Sequence, residues 1–235
     1  MDFTTKFGDF RAGEIILIDK PLDLTSFGIV KKVRWHIWNC LDKQYKKVKV
    51  GHAGTLDPKA TGLVILCTGK FTKRIEEFQA GIKEYYATIK LGATTPSFDL
   101  ETEEDEQYET SHITSELVKE VIENQFLGEI DQTPPIYSAV KVKGVRAFTY
   151  ARKGEELELK SRKITIHELD VIRLEGNMLE VRVLCSKGTY IRSLARDIAI
   201  ALNSGGYLTA LRRTRIGDFK VEDALSLEEY EKLFQ

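Results

Sequence analysis

Apolar residues in this 235-residue chain come in short runs broken by turn formers, and that spacing limits what it can fold into. Glu14–Asp19 (EIILID) reads as a short buried strand stopped by Lys20-Pro21, and Gly62–Thr68 as another. Tyr85–Leu91 alternates like a strand, and Tyr207–Ile216 reads as a late one. Ile164–Leu174 and Met178–Cys185 flank Glu175-Gly176-Asn177 as the arms of a β-hairpin. Helical spacing occurs in three long stretches. One follows Thr25 or Ser26 and runs to about Cys40, with Phe27, Val30, Val33 and Ile37 on its apolar face. A second follows Thr114 or Ser115, with Leu117, Val118, Val121 and Ile122 on one side. The third is Thr189–Leu202, with Ile191, Leu194, Ile198 and Leu202 inward. Phe71–Phe78 reads as a further helix, and Leu100–Ser111 as an acidic loop. Strands come in runs rather than in strict βαβ alternation. The expected class is therefore α+β: a mixed, largely antiparallel central sheet with flanking helices, in one compact unit of two lobes.

Composition narrows the function. Hydrophobic residues make up 42% and charged residues 30%, as in a folded soluble chain long enough to need no disulfide or metal staple. Cys40, Cys67 and Cys185 are far apart and form no Cys-x-x-Cys, which argues against a zinc ribbon, a redox dithiol and a secreted disulfide scaffold. Met1–Gly13 has no signal-peptide core, and the longest apolar runs, such as Ile15–Ile18 and Leu63–Cys67, are too short to span a bilayer. The expected location is cytoplasmic, with no membrane association. The formal charge of -1 hides segregation. Lys31–Val50 carries a net +6, Lys141–Lys153 has five basic residues and no acid, Arg192–Arg215 is +4, and Ser97–Asp131 is -11. Such runs are most often solvated faces; three basic ones that converge would make a polyanion groove. Charge alone does not decide between these.

Most cofactor and hydrolase signatures are missing. Gly69-Lys70 fails the phosphate-loop pattern because Val64 and Phe71 occupy its outer positions. No Gly-x-Gly-x-x-Gly follows a strand, no Gly-x-Ser-x-Gly elbow occurs, and the zinc-deaminase pattern is absent. His36, His52, His112 and His167 have no metal-ligand spacing. The expectation is no cofactor and no metal.

Residues 51–62 read Gly-His-Ala-Gly-Thr-Leu-Asp-Pro-Lys-Ala-Thr-Gly. Glycines on both sides of His52 allow close approach of the backbone to a ligand, and Asp57 before Pro58 is biased to an extended or turn conformation. A lone Asp-Pro is most often only a turn. The full string resembles the central motif of the TruB family of tRNA pseudouridine synthases, in which the aspartate of Gly-Thr-Leu-Asp-Pro is catalytic. Further stretches resemble the family in order. These are Asp19-Lys20-Pro21 with Thr25-Ser26, Lys83-Glu84-Tyr85 with Ala87, and Gln132–Lys141 (QTPPIYSAVK) with Gly144 and Arg146. Cys185–Arg192 (CSKGTYIR) and Leu211-Arg212-Arg213-Thr214 complete the set. Together they span about residues 14–216.

The resemblance implies the pseudouridine synthase fold over residues 1–235 as a single catalytic domain. It implies isomerisation of the uridine at position 55, in the TΨC loop of the tRNA T-arm, after the base is flipped out, by a monomer without a small-molecule cofactor. Asp57 is the implied catalytic carboxylate, acting either by covalent attack or by taking a proton from C2′; the residues leave both open. Arg192 is its implied guanidinium partner, able to keep a carboxylate ionised and aimed. Tyr85 is implied to stack on the uracil and to help with the C5 proton. Tyr190 and Leu211 are implied to line the base pocket, His52 to hold the flipped nucleotide, and Lys20 and Lys141 to act near the pocket or phosphates. Without the motifs, Arg192 reads as a helix-surface arginine, Tyr85 as a strand aromatic, and Tyr190 and Leu211 as core. The chain also departs from the pattern. About twenty residues follow Thr214, too few for the RNA-binding PUA domain of many members. Asp99 matches the second aspartate of a Thr-Asp-Thr-x-Asp stretch whose first aspartate is missing here, and Phe148 stands where tyrosine is common. Three other functions compete: a guide-RNA-dependent synthase, a non-catalytic RNA chaperone, and a phosphate-binding metabolic enzyme.

Overall fold

The computed structural model of the protein describes residues 8–39, 41, 45–142, 144–155 and 157–234. Cys40, Asp42, Lys43 and Lys143, used in the charge and cysteine arguments, lie outside the described residues, as do residues 1–7. In chain order the elements are β1 (Ile15–Lys20), α1 (Ser26–Asn39), β2 (Val50–His52), β3 (Thr61–Thr68), α2 (Ile75–Ala80), β4 (Lys83–Leu91), β5 (Ala93–Thr94), β6 (Glu106–Gln107), α3 (Ser115–Gln125) and β7 (Gly128–Gln132). They continue with β8 (Lys141–Val142), β9 (Val145–Arg146), α4 (Ala147–Ala151), β10 (Arg162–Glu175), β11 (Met178–Cys185), α5 (Ile191–Ala201), β12 (Gly206–Ile216), β13 (Phe219–Lys220), β14 (Leu225–Ser226) and α6 (Leu227–Lys232). Helices and a mixed sheet make this an α+β fold. Among the described residues no helix is long and apolar enough to cross a membrane. The chain divides into two units, one taking in the chain up to Tyr85 and from Arg212 onward, the other being Tyr86–Leu211.

In the first unit the strands run in the order β14-β1-β3-β12, with β2 added on β3 and β13 on β12. β1 and β3 pair antiparallel from Ile15↔Cys67 to Lys20↔Gly62, and β12 joins β3 in parallel through Arg212↔Thr61 and Arg213↔Gly62. Ala53, Leu63, Ile65, Cys67, Ile216 and Val221 form one core cluster on these strands, and Phe71, Phe78 and Phe219 pack against it. The expected helix 71–78 is a 3₁₀ turn, Gly69–Arg74, leading into α2. The Thr25 hydroxyl caps α1 by accepting from Gly28 N at 2.9 Å. One expectation for this helix fails. Phe27 is 54% exposed, and Ile29 takes its place in the core beside Val30, Val33 and Ile37.

The register places Gly62 between Lys20 and Arg213, in a left-handed conformation with φ 108°. A Cβ there would lie 2.2 Å from the Arg213 carbonyl oxygen. Gly62→Ala is therefore expected to cost about 3 kcal/mol or more, from backbone strain plus a clash with backbone that cannot move aside. Urea unfolding of the variant measures it.

In the second unit the order is β4-β11-β10-β7. β10 and β11 form the expected hairpin, closed by the pair Glu175↔Met178 around the two-residue loop Gly176-Asn177. β7 pairs antiparallel with β10 from Arg162↔Gln132 to Ile166↔Gly128. Thr114 caps α3 through Leu117 N at 3.2 Å, and α3 buries Val118, Val121 and Ile122 against β10 and α5. On α5, Ile191, Leu194 and Ile198 are buried, with Leu202 just beyond its end, as the periodicity predicts. The acidic segment 100–111 is loop apart from the two residues of β6.

Candidate active site

The loop that carries Asp57 joins β2 to β3. His52 pairs with Leu66, and Ala53 N donates to Ile65 O at 2.8 Å, so the chain leaves the sheet only after Ala53. Asp57-Pro58-Lys59-Ala60 is a β-turn closed by Ala60 N donating to Asp57 O at 3.1 Å, with proline at its favoured second position. Both sides of the turn are pinned. The Ser26 hydroxyl accepts from Leu56 N at 2.8 Å and donates to Leu56 O at 2.9 Å. Pro58 O accepts from Asp23 N at 2.9 Å and from Lys20 Nζ at 3.3 Å. Arg213 is 1% exposed and gives its whole guanidinium to this region. Nε donates to Leu63 O at 2.8 Å, Nη1 to Thr55 O at 3.3 Å and Nη2 to Gly54 O at 3.2 Å. Gly54 supplies the φ of 91° that turns its carbonyl into this fork. The Asp57 backbone is thus fixed from β1, α1 and β12 at once, which is how a reacting group on a loop gains the rigidity of a scaffold.

The electrostatics follow from the same packing. Lys20 is fully buried, with Nζ donating to Pro21 O at 2.8 Å. Burial pushes its pKa from the ordinary 10.5 to about 8, and the Asp57 and Asp23 carboxylates hold it from falling further. Lys20 therefore still carries charge at neutral pH and places it in the field of Asp57. Because folding lowers this pKa, the unfolded chain binds more protons between pH 8 and 10.5. The cost of burying the ammonium is thus fully present below about pH 8 and fades as pH rises towards 10.5. Relative to Lys20→Met, the wild-type chain is expected to gain on the order of 2–3 kcal/mol across that window, read from urea midpoints at successive pH values. Burial also holds the His52 imidazole below its usual value, with the Arg213 guanidinium contributing, so the ring is neutral at pH 7. Cys67, in the core below, has its thiol pushed up to about 11 by burial and is not a nucleophile.

Tyr85, also in this unit, is buried on β4, on the same face as Lys83. Its neighbour Glu84 accepts from the Thr214 hydroxyl at 2.7 Å, which fixes the strand beside β12. Arg212 forms a two-pronged pair with Asp19, at 3.1 and 2.7 Å.

The second unit builds a separate framework around Arg192. This residue is 4% exposed, in the first turn of α5, and is no surface arginine. Nη1 donates to Ser97 O at 3.1 Å and Nη2 to Tyr137 O at 3.0 Å, while Nε lies 3.6 Å from Asp99 Oδ2. The carboxylate beside Arg192 within its own unit is thus Asp99. Asp99 is itself held: Oδ1 accepts from the Ser97 hydroxyl at 2.6 Å and from Glu101 N at 2.9 Å. Thr95 and Thr102 stitch the rest of the loop, through Thr95 Oγ1 to Asp99 O at 2.8 Å and Ser97 N to Thr102 Oγ1 at 3.1 Å. Tyr190 is clamped by the buried Gln132 amide, which accepts from Tyr190 N at 2.8 Å and donates to Tyr190 O at 3.1 Å. The Arg162 guanidinium lies 4.6 Å over its ring and also donates to Gly188 O. Ser193 donates to Thr133 O at 2.8 Å, so the segments 186–193 and 132–137 are locked together. Leu211 is buried on β12. Lys141 stands exposed on the β8–β9 hairpin, opposite Arg146.

Ser26 and Arg213 lie inside the motifs quoted above, but no local feature of the sequence marks either for a role at the site. The third basic stretch also turns out differently from a phosphate groove: Arg192 and Arg213 are buried, Arg212 pairs with Asp19, and Arg196 pairs with Asp197 at 2.6 Å. Among the described residues no three His, Cys, Asp or Glu side chains come together as metal ligands.

Known proteins share this chain's pattern. The profile described as TruB family pseudouridylate synthase (N terminal domain) matches residues 42–191, and that of the tRNA pseudouridylate synthase B C-terminal domain matches residues 192–235. A protein of Phocaeicola vulgatus named tRNA pseudouridine synthase B is 57% identical over 222 residues, 94% of this chain and 93% of its own length. One of Flavobacterium johnsoniae with the same name is 52% identical, over 97% of this chain and 98% of its own. Among solved structures, a chain of a Cbf5-Nop10-Gar1 complex superposes with a TM-score of 0.69 at 30% identity, covering 93% of this chain and 53% of that one. The fixed Asp-Pro turn, the clamped Tyr190–Arg192 segment and these matches over nearly every residue have one reading: the chain belongs to the TruB family of pseudouridylate synthases.

Proposed function

We propose that the protein isomerises a uridine of tRNA to pseudouridine, that the target is the uridine at position 55 in the loop of the T-arm, and that Asp57 is the catalytic carboxylate. The observation that carries this is the Asp57 turn, whose backbone is held on both sides by Ser26, Lys20 and Arg213. In the reaction the N1–C1′ bond breaks, the uracil turns, C5 bonds to C1′, the C5 proton leaves and N1 takes one up. Atoms and electrons balance within the substrate, so the work required of the protein is to extrude the base, hold it and supply one carboxylate.

Each remaining residue has a proposed part. His52, neutral in its buried setting, contacts the extruded nucleotide. Tyr85 stacks on the uracil, and Tyr190 and Leu211 line the base pocket. Arg192, aimed by Asp99, supplies fixed positive charge to the reaction, and Lys20 does the same beside Asp57. Lys141, exposed on its hairpin, contacts phosphate. The protein acts as a monomer in the cytoplasm.

The test is direct. Purified protein and an unmodified T-arm stem-loop transcript, with no other RNA or protein, should yield one pseudouridine, placed at the loop uridine by mass mapping. A requirement for an added guide RNA would favour the guide-dependent reading, and no product under either condition would overturn the proposal.

A further inference from the structure

One surface of the first unit has no part in the proposed chemistry. α1 is built like an amphipathic helix, but its outer side is not simply polar. At 3.6 residues per turn, Phe27, Lys31, Arg34, Trp35 and Trp38 fall within about 100° of one another, on the far side from Ile29 and Val33. Phe27 and Trp35 are 54% and 57% exposed. Cations are threaded between the rings: Lys31 Nζ lies 5.2 Å over Phe27, and the Arg34 guanidinium 5.1 Å over Trp38. Trp38 is anchored from behind, its Nε1 donating to Val48 O at 3.0 Å. Among the described residues neither Lys31 nor Arg34 has a carboxylate partner, whereas Lys32, on the adjoining flank, is paired with Glu231 at 2.8 Å. Beyond the helix, Lys46, Lys47 and Lys49 add exposed positive charge.

Trp35 meets the His36 ring edge-on at 5.1 Å, yet it and Phe27 each stay more than half exposed, so packing within the fold does not account for either ring. Alternating ring faces and unpaired cations do match a nucleic-acid strand, whose bases offer faces to stack on and whose phosphates accept the charge. The place fits as well. Phe27 follows directly on Ser26, the residue that bonds to Leu56 in the Asp57 loop, so the stripe starts at the proposed site and runs about 17 Å along the helix away from it. We infer that the outer face of α1 is a second RNA-binding surface. On it, unstacked bases of the tRNA substrate, outside the loop that holds the target uridine, rest against Phe27 and Trp35, and the flanking phosphates meet Lys31 and Arg34. The inference rests on the proposed function only in taking tRNA as the ligand.

The chain has two tryptophans, and only Trp35 is largely exposed, so acrylamide quenching of the unaltered protein reads this surface. Saturating full-length tRNA should remove most of the accessible fraction. The double variant Lys31→Ala/Trp35→Ala should bind tRNA roughly 10-fold more weakly, with a salt dependence shallower by about one phosphate contact, while turnover at saturating tRNA stays unchanged. Unchanged quenching of the wild-type protein at saturation, or a double variant that binds with wild-type affinity and salt slope, would overturn it. If tRNA protects Trp35 but no pseudouridine forms, the proposed chemistry fails and the binding surface stands.

Discussion

Asp57→Asn should abolish tritium release from C5-labelled uridine in a T-arm transcript, by on the order of 10³- to 10⁴-fold, and leave RNA affinity within a few-fold. The expectation separates chemistry from scaffolding because the bonds that hold the turn are made by backbone atoms. Ala60 N reaches the Asp57 carbonyl oxygen, Ser26 grips Leu56, and Arg213 grips Gly54 and Thr55. An amide of the same shape leaves each of these in place. It removes only the charge and the basicity that attack at the sugar, attack at the base and abstraction at C2′ all require. It also removes a charge that supports the Lys20 ammonium, so Lys20 in the variant should titrate below about 8. Release that survives the substitution would reject Asp57 as the catalyst. The same variant tests the chaperone reading. If it restores tRNA folding to cells lacking the protein yet makes no pseudouridine, the chain has two separable activities; if it restores neither, catalysis accounts for its role.

Local pattern and long-range contact contributed differently to how far this fold could be read from sequence. The Asp-Pro turn, the Thr114 cap and the Gly176-Asn177 hairpin depend on a few adjacent residues, and each forms where the chain predicts it. Phe27 shows the limit of periodicity. It fits the helical spacing of Val30, Val33 and Ile37 as well as any core residue does. What sets the rotation of α1 is Ser26, whose hydroxyl must face Leu56 thirty residues away; that turns Ile29 inward and Phe27 out. The arginines show it again. Nothing local marks Arg213 as buried, because its acceptors are the carbonyls of residues 54, 55 and 63. Arg192 and Arg213 fit neither of the two roles that charge alone leaves open, a solvated face or a phosphate groove: a guanidinium can be stabilised by carbonyls and a distant carboxylate inside the fold, and a sum of charges along the chain carries no record of which face each side chain takes.

The largest stability effect is expected at Asp99. Arg192 is a buried cation whose Nη atoms are bonded to two carbonyls and whose Nε lies 3.6 Å from the Asp99 carboxylate. Asp99→Asn keeps the shape and the acceptor for Ser97 and Glu101, but removes the negative charge 3.6 Å from Nε. Removing one partner of a buried ion pair costs up to about 3–5 kcal/mol, more than the pair contributes over a well-packed apolar replacement. The variant should therefore melt roughly 6–15 °C lower. Asp99→Asn/Arg192→Met should recover much of that loss, because it removes the buried cation as well, and a double-mutant cycle would show the two sites strongly coupled. The two variants then divide structure from function. If Asp99 aims a guanidinium that acts in the reaction, Asp99→Asn loses turnover even at temperatures where it is fully folded, and the stabilised double variant is no more active than Arg192→Met alone. If the pair only holds the loop of residues 95–102 against α5, activity per folded molecule returns with stability.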